Sequence, residues 1–198
     1  AYEGLNNAAV LGSNFIIVVN DNEMSISENQ GGLYTNLKLL RDTDGKAENN
    51  FFKSLGLEYV YIKDGHDIEL LINTFSKVKD INKPIVVHMK TIKGKGYEDA
   101  EKNKESFHFV APFDLETKKP KNEVTQETYT DITDKFLSEK ASKDSKVIGI
   151  SAGTPVFAGF SSYRKTHKDQ FVDVGIAEEH AIALASGIAS NGGKPVVS

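Results

Sequence analysis

The chain predicts an α/β fold built on parallel sheets and divided into parts of two consecutive α/β domains. Three observations carry that prediction. Short β-branched runs alternate with stretches of helical periodicity, the pattern of strands joined by crossover helices. The run Phe15-Ile16-Ile17-Val18-Val19 empties into Asn20-Asp21-Asn22-Glu23-Met24-Ser25-Ile26-Ser27. Adjacent oxygen ligands of that kind are what a parallel sheet presents at its carboxyl edge to hold a hard cation, so the feature points to a metal-anchored cofactor. Between Ala111 and Glu123 the apolar period lapses among Pro112, Pro120 and a lysine cluster, which reads as a linker. Residues 1–110 then form the first domain and residues 124–198 the second.

The elements follow in order. Phe15 to Val19 is expected to be a buried strand, and Leu57 to Ile62 a shorter one. The polar excursion Arg41 to Asn50 lies between them. Asp64-Gly65-His66-Asp67 makes a turn whose last residue can cap a helix from Ile68 to Lys79, burying Ile68, Leu71, Ile72, Phe75 and Val78. Pro84 to His88 is the next strand. Beyond the linker, a helix from Gln126 to Ser142 is expected to turn Tyr129, Ile132, Phe136 and Leu137 inward. Strands at Lys146 to Ser151 and Phe171 to Val174 follow. A last helix begins near Ala177, with Ile176, His180, Ala181, Leu184 and Ile188 as its buried stripe.

Composition excludes several function classes. Apolar residues make up 39% of the 198 and charged residues 26%, as in an ordinary globular protein. The 24 basic and 28 acidic residues give a net charge of -4, and no basic block has aromatics interleaved, so no nucleic-acid surface is expected. Without cysteine there is no disulfide framework, zinc-thiolate site or thiol nucleophile. No apolar run nears the roughly 20 residues that span a bilayer, which leaves a cytoplasmic enzyme with no membrane partner as the default.

Several residues could carry chemistry. Asn22 is either a turn residue after its strand or an amide-oxygen ligand for magnesium. Glu178 and Glu179 open a helix, where its dipole favours acidic side chains, and periodicity does not choose between them. Lys93-Gly94-Lys95-Gly96-Tyr97 is a glycine turn flanked by lysines, a weak phosphate-binding pattern. His108 has an ordinary pKa suited to moving protons near neutrality. Of the other histidines, His66 is expected to organise its turn, His88 to end a strand, His167 to be exposed and His180 to be buried.

Four segments in one order resemble the 1-deoxy-D-xylulose-5-phosphate synthase family of transketolase-like enzymes. They are Asn20 to Ser27, Thr91-Ile92-Lys93-Gly94-Lys95-Gly96-Tyr97-Glu98, Phe107-His108 leading into Pro112-Phe113-Asp114, and Ile176-Ala177-Glu178-Glu179-His180-Ala181. The resemblance implies a thiamine diphosphate-binding fold, with the later diphosphate-binding domain followed by the start of the pyrimidine-binding domain. It implies that Asn22 and the Met24 carbonyl hold Mg2+, that Ile26 wedges the cofactor rings into a V, and that Lys93 lies close to the diphosphate. Glu178 would meet N1' of the aminopyrimidine, where a shared proton activates the cofactor, and His108 would stand by the reacting carbons. The implied reaction condenses pyruvate, with decarboxylation, and glyceraldehyde 3-phosphate in a homodimeric protein. A transketolase or a 2-oxoacid dehydrogenase component is the alternative within enzymes, and a catalytically silent fragment the alternative outside them. The family's Gly-Asp-Gly, which supplies a third metal ligand, belongs before Ala1, so these 198 residues alone are expected to lack the reaction. The segment Arg41 to Asn50 stands where the family often carries a much longer insertion, which marks a short-loop variant.

Overall fold

A computed structural model describes residues 2–121 and 126–198. Residues 122–125, the end of the expected linker and the start of the expected second domain, lie outside the described residues. The chain divides into two compact units, residues 1–23 with 31–101 and residues 24–30 with 102–198.

The first unit opens with helix α1 (Tyr2–Ala8) and continues through β1 (Phe15–Asp21), α2 (Gly32–Asp42), the short α3 (Phe51–Ser54), β2 (Glu58–Ile62), α4 (Ile68–Val78) and β3 (Pro84–Lys90). The three strands are parallel in the order β1-β3-β2, with Val19 opposite His88 and Asp21 opposite Lys90. Because β3 is central, Pro84 to His88 are all buried. β1 is an edge, and Phe15 and Val18 are exposed on it, so the expectation of a fully buried first strand is corrected. Side chains alternate across β3 as strand geometry requires. Val86 packs with Leu37, Leu40, Phe52 and Leu57, while Ile85 and Val87 pack with Ile62 and Val78. On α4 the Asp67 carboxylate accepts from Leu70 N at 2.9 Å, which is the expected cap. The buried face of α4 is rotated from the expected one, since Thr74 and Val78 are buried, Leu70, Leu71 and Phe75 pack on the core, and Ile68 and Ile72 are exposed.

Asn50 shows how polar burial shapes this unit. It is fully buried, and its amide oxygen caps α3 by accepting from Phe52 N (3.0 Å) and Lys53 N (3.2 Å). Replacing Asn50 with Ala is expected to destabilise the unit by about 1–2 kcal/mol, the usual worth of a helix cap. Chemical denaturation checks this, and a loss below about 0.3 kcal/mol would show that the cap is dispensable.

The first unit ends within α5 (Glu98–Lys102), of which only Lys102 falls in the second unit; the second unit then holds α6 (Tyr129–Lys143), β4 (Val147–Ser151), α7 (Tyr163–Thr166), a single 3-10 turn, β5 (Phe171–Asp173), α8 (Glu178–Ser190) and β6 (Lys194–Val197). Its parallel sheet has the order β5-β4-β6. One face packs Val147 with Leu137, Ala141, Phe160 and Tyr163, and the other packs Ile148 and Ile150 with Ala181, Ala185, Leu184 and Ile188. Gly149 is required by the first face, since a Cβ there would stand 2.8 Å from the Phe160 ring and 2.9 Å from the Tyr163 ring.

Two expected stripes are corrected here. Leu137 is buried as expected, but Tyr129, Ile132 and Phe136 are exposed, and α6 buries Asp134 and Ala141 beside Leu137. His180 and Ile176 are exposed, so the buried stripe of α8 runs through Ala181 and Ala185. In the expected linker, Phe113 and Pro120 pair in an antiparallel bridge. The Asp114 carboxylate closes the turn by accepting from Glu116 N (3.1 Å) and Thr117 N (2.7 Å), an Asx-turn arrangement that local side-chain chemistry favours.

Candidate active site

In the first unit the site residues stand where parallel α/β sheets place ligands, just past the carboxyl ends of the strands. Asn22 follows β1 and Lys93 follows β3. The two strand ends are tied together, since Thr91 N donates to Asp21 O at 2.9 Å and Thr91 Oγ1 donates to Asn20 Oδ1 at 2.6 Å. Both Asn22 and Lys93 are half-buried. Beyond Lys93 the chain must turn at Gly94, whose φ is 80° and where a Cβ would lie 2.7 Å from Ala100. The His66 side chain reaches beyond its own turn, its Nε2 accepting from Ile92 N at 2.8 Å.

Beneath this edge lies a polar relay that the sequence reading missed. The buried Asp21 carboxylate accepts from Arg41 Nη1 at 2.5 Å and meets His88 Nε2 at 2.8 Å, while His88 Nδ1 meets the Tyr59 hydroxyl at 2.7 Å. Burial alone would raise the Asp21 pKa; hydrogen bonds from His88, Arg41 and the Glu23 amide outweigh it and lower the pKa to about 2. His88 was expected only to end a strand; it is fully buried, two residues before the end of β3. The available signal was a titratable residue inside an otherwise apolar run, which in a buried strand demands a partner.

In the second unit Asp173, at the end of β5, gathers three segments. Its Oδ1 accepts from Gly153 N (3.0 Å) and Gly175 N (2.9 Å), and its Oδ2 accepts from Ser27 Oγ at 3.2 Å. Gly153 and Gly175 have φ of 81° and 71°, a left-handed backbone that lets the loops converge on one carboxylate. The residue beside Ser27 is Ile26, half-buried in the wall of a pocket of about 440 Å³. Phe109, Pro155, Val156 and Phe157 supply further apolar wall. Ser106 and Phe109 line the same pocket, and the exposed His108 lies between them in sequence. Arg164 pairs with Glu105 through two contacts of 3.0 and 2.9 Å at the pocket margin. Glu178 is the first residue of α8, exposed, and stands five residues past Asp173. His167, expected to be exposed, is half-buried against the Tyr163 ring, with Ser142 Oγ 3.0 Å from its Nε2.

The donor chemistry suits a hard cation that completes its shell elsewhere. Asn22 offers an amide oxygen and Met24 a carbonyl, and among the described residues no group of three or more His, Asp or Glu could hold a metal by itself. Magnesium commonly takes only one or two protein ligands and fills its octahedron with phosphate oxygens and water, so the residues present fit it.

Residues 1–49 and 39–91 match the sequence family 1-deoxy-D-xylulose-5-phosphate synthase, and residues 126–198 match the pyrimidine binding domain of transketolase. The chain is similar to the 1-deoxy-D-xylulose-5-phosphate synthase of Clostridium beijerinckii, with 36% identity over 99% of this chain and 37% of that protein. It is likewise similar to that of Mannheimia succiniciproducens, with 37% identity over all of this chain and 37% of that protein. A crystal structure of transketolase from Campylobacter jejuni covers 99% of this chain and 40% of that one, at 16% identity and a TM-score of 0.34. The chain thus spans a little over a third of the length of the curated relatives it matches. The first alignment runs over 231 positions against 198 residues, and the two family matches overlap on residues 39–49. Over essentially its whole length the chain is thus similar to 1-deoxy-D-xylulose-5-phosphate synthases, with the transketolase pyrimidine binding domain matched in its second half.

Proposed function

We propose that this chain supplies part of the thiamine diphosphate site of a synthase that condenses pyruvate, with loss of carbon dioxide, and glyceraldehyde 3-phosphate to 1-deoxy-D-xylulose 5-phosphate. The observation that supports it most is Asp173, which ties the Ile26 segment to the strand that leads into Glu178. When bound, thiamine diphosphate supplies a nucleophilic carbon and an electron sink for the electrons released by decarboxylation. Glu178 would hold a proton at N1' of the aminopyrimidine. Ile26 would press the two rings together, and the apolar pocket wall would exclude water from them. Asn22 and the Met24 carbonyl would bind Mg2+, and Lys93 would offset the charge of the diphosphate. His108 would move a proton at the oxygen of the reacting carbon. The reading extends to a homodimer in the cytoplasm. Among the described residues no helix is long and apolar enough to cross a membrane.

Titration calorimetry of the protein at the full length of its relatives tests the metal and cofactor assignment. Asn22→Ala is expected to weaken magnesium-dependent thiamine diphosphate binding by at least about tenfold, since even the partners of metal ligands are worth about 10–100-fold. Its thermal midpoint without cofactor should stay near that of the parent. Equal affinity in the two proteins, or equal destabilisation with and without cofactor, would leave Asn22 as a turn residue.

A further inference from the structure

The turn that carries Asn22 is gripped by a side chain from a different element. Arg41 lies in the last turn of α2, and its guanidinium reaches two carboxylates at once, Asp21 Oδ2 through Nη1 (2.5 Å) and Glu23 Oε1 through Nε (3.1 Å). These two carboxylates flank Asn22 on either side. Asp21 also folds the turn inward, since its Oδ1 accepts from Glu23 N at 3.1 Å. Glu23 has a φ of 68°, a left-handed conformation that residues with a side chain seldom adopt and that persists only where the surroundings impose it.

The grip is built into the interior. The side chains of Asp21 and His88 are 2% and 0% exposed, and that of Arg41 is 10% exposed. His88 meets the oxygen that Arg41 binds, and the Tyr59 hydroxyl fixes the other nitrogen of its ring. The connection after α2 packs on Tyr61, which in turn touches the relay. Gly45 lies so close to Tyr61 that a Cβ would come within 2.5 Å of the Tyr61 Cβ, and the Tyr61 ring stands edge-on to His88 at 5.2 Å.

We propose that Arg41 is a positioning residue for the metal: with Asp21 and His88 it holds the Asp21–Glu23 turn, and so the Asn22 amide oxygen, in its ligating shape before a divalent cation arrives. The inference rests on the reading of Asn22 as a magnesium ligand. A guanidinium can span both carboxylates because its donors form a planar fork; an ammonium carries the same charge without that fork. Residues that orient metal ligands in this way typically govern affinity rather than the chemical step.

Arg41→Lys and the milder Glu23→Gln, which alters a carboxylate 44% exposed, test the grip by two readouts. The first is hydrogen exchange at the Glu23 amide in this chain, which needs no metal. Exchange is expected to speed up by about tenfold or more in Arg41→Lys and by less in Glu23→Gln, with the amides of β3 unchanged. The second is the magnesium concentration that half-saturates thiamine diphosphate binding in the protein at the full length of its relatives, expected to rise by about 10–100-fold in Arg41→Lys, with turnover recovered at saturating magnesium. Unchanged exchange at Glu23 in both variants, or a uniform rise across the sheet, would overturn the proposal. Faster exchange with an unchanged magnesium requirement would also overturn it, provided that Asn22→Ala does raise that requirement. If Asn22→Ala raises nothing, the ligand assignment itself fails, and the proposal with it.

Discussion

Replacing Glu178 with Gln, in the protein at the full length of its relatives, is expected to reduce turnover by about a hundred- to ten-thousand-fold while leaving thiamine diphosphate binding largely intact. An amide keeps the volume and a hydrogen bond but cannot share a proton with N1', and loss of a positioned proton transfer typically costs about that much. Glu178 is the first residue of α8 and follows a short connection from β5 in which the Gly175 amide donates to Asp173. Steady-state rates and calorimetric affinities, measured on Glu178→Gln beside Glu179→Gln, separate the two neighbours. Turnover near normal in Glu178→Gln removes its role, and a dead Glu179→Gln moves the role one residue along.

The largest loss of stability is expected from Asp134→Ala. Asp134 is buried on α6, and its two carboxylate oxygens accept from Ser162 N at 2.7 Å and Tyr163 N at 2.9 Å. Ser162 makes no side-chain cap for α7, so Asp134 caps that helix from a distance. Alanine would leave two donors without partners beside the fully buried Tyr163, at a cost of about 2–4 kcal/mol. Urea unfolding measures this, and Asp134→Asn, which keeps one acceptor oxygen, should recover about half. A loss under about 0.5 kcal/mol in the alanine variant would mean that water replaces the carboxylate. The same turn delivers Arg164 to the pocket margin, so the variant should also loosen the Arg164–Glu105 pair.

The chain's own residues determined the parallel α/β character, the strand positions to within a residue or two, and the edge at which the candidate site stands. Each of these depends on short-range chemistry: β-branched runs favour strands, Asp67 caps the helix after it, and oxygen ligands cluster where a strand ends. Helical periodicity gave the pitch of α4, α6 and α8 but not the phase, because spacing says which residues share a face and not which face meets the sheet. Ile72, Phe136 and Ile176 fitted a stripe yet remain exposed. Tertiary structure alone decided that β3, not β1, is the central strand, since the order of a parallel sheet follows from how its crossovers pack and not from any one run. It alone joined Arg41, Asp21, His88 and Tyr59, which lie up to 67 residues apart along the chain. Nothing local to any of these four specifies the others; what unites them is that a buried charge must find its partners wherever the fold brings them.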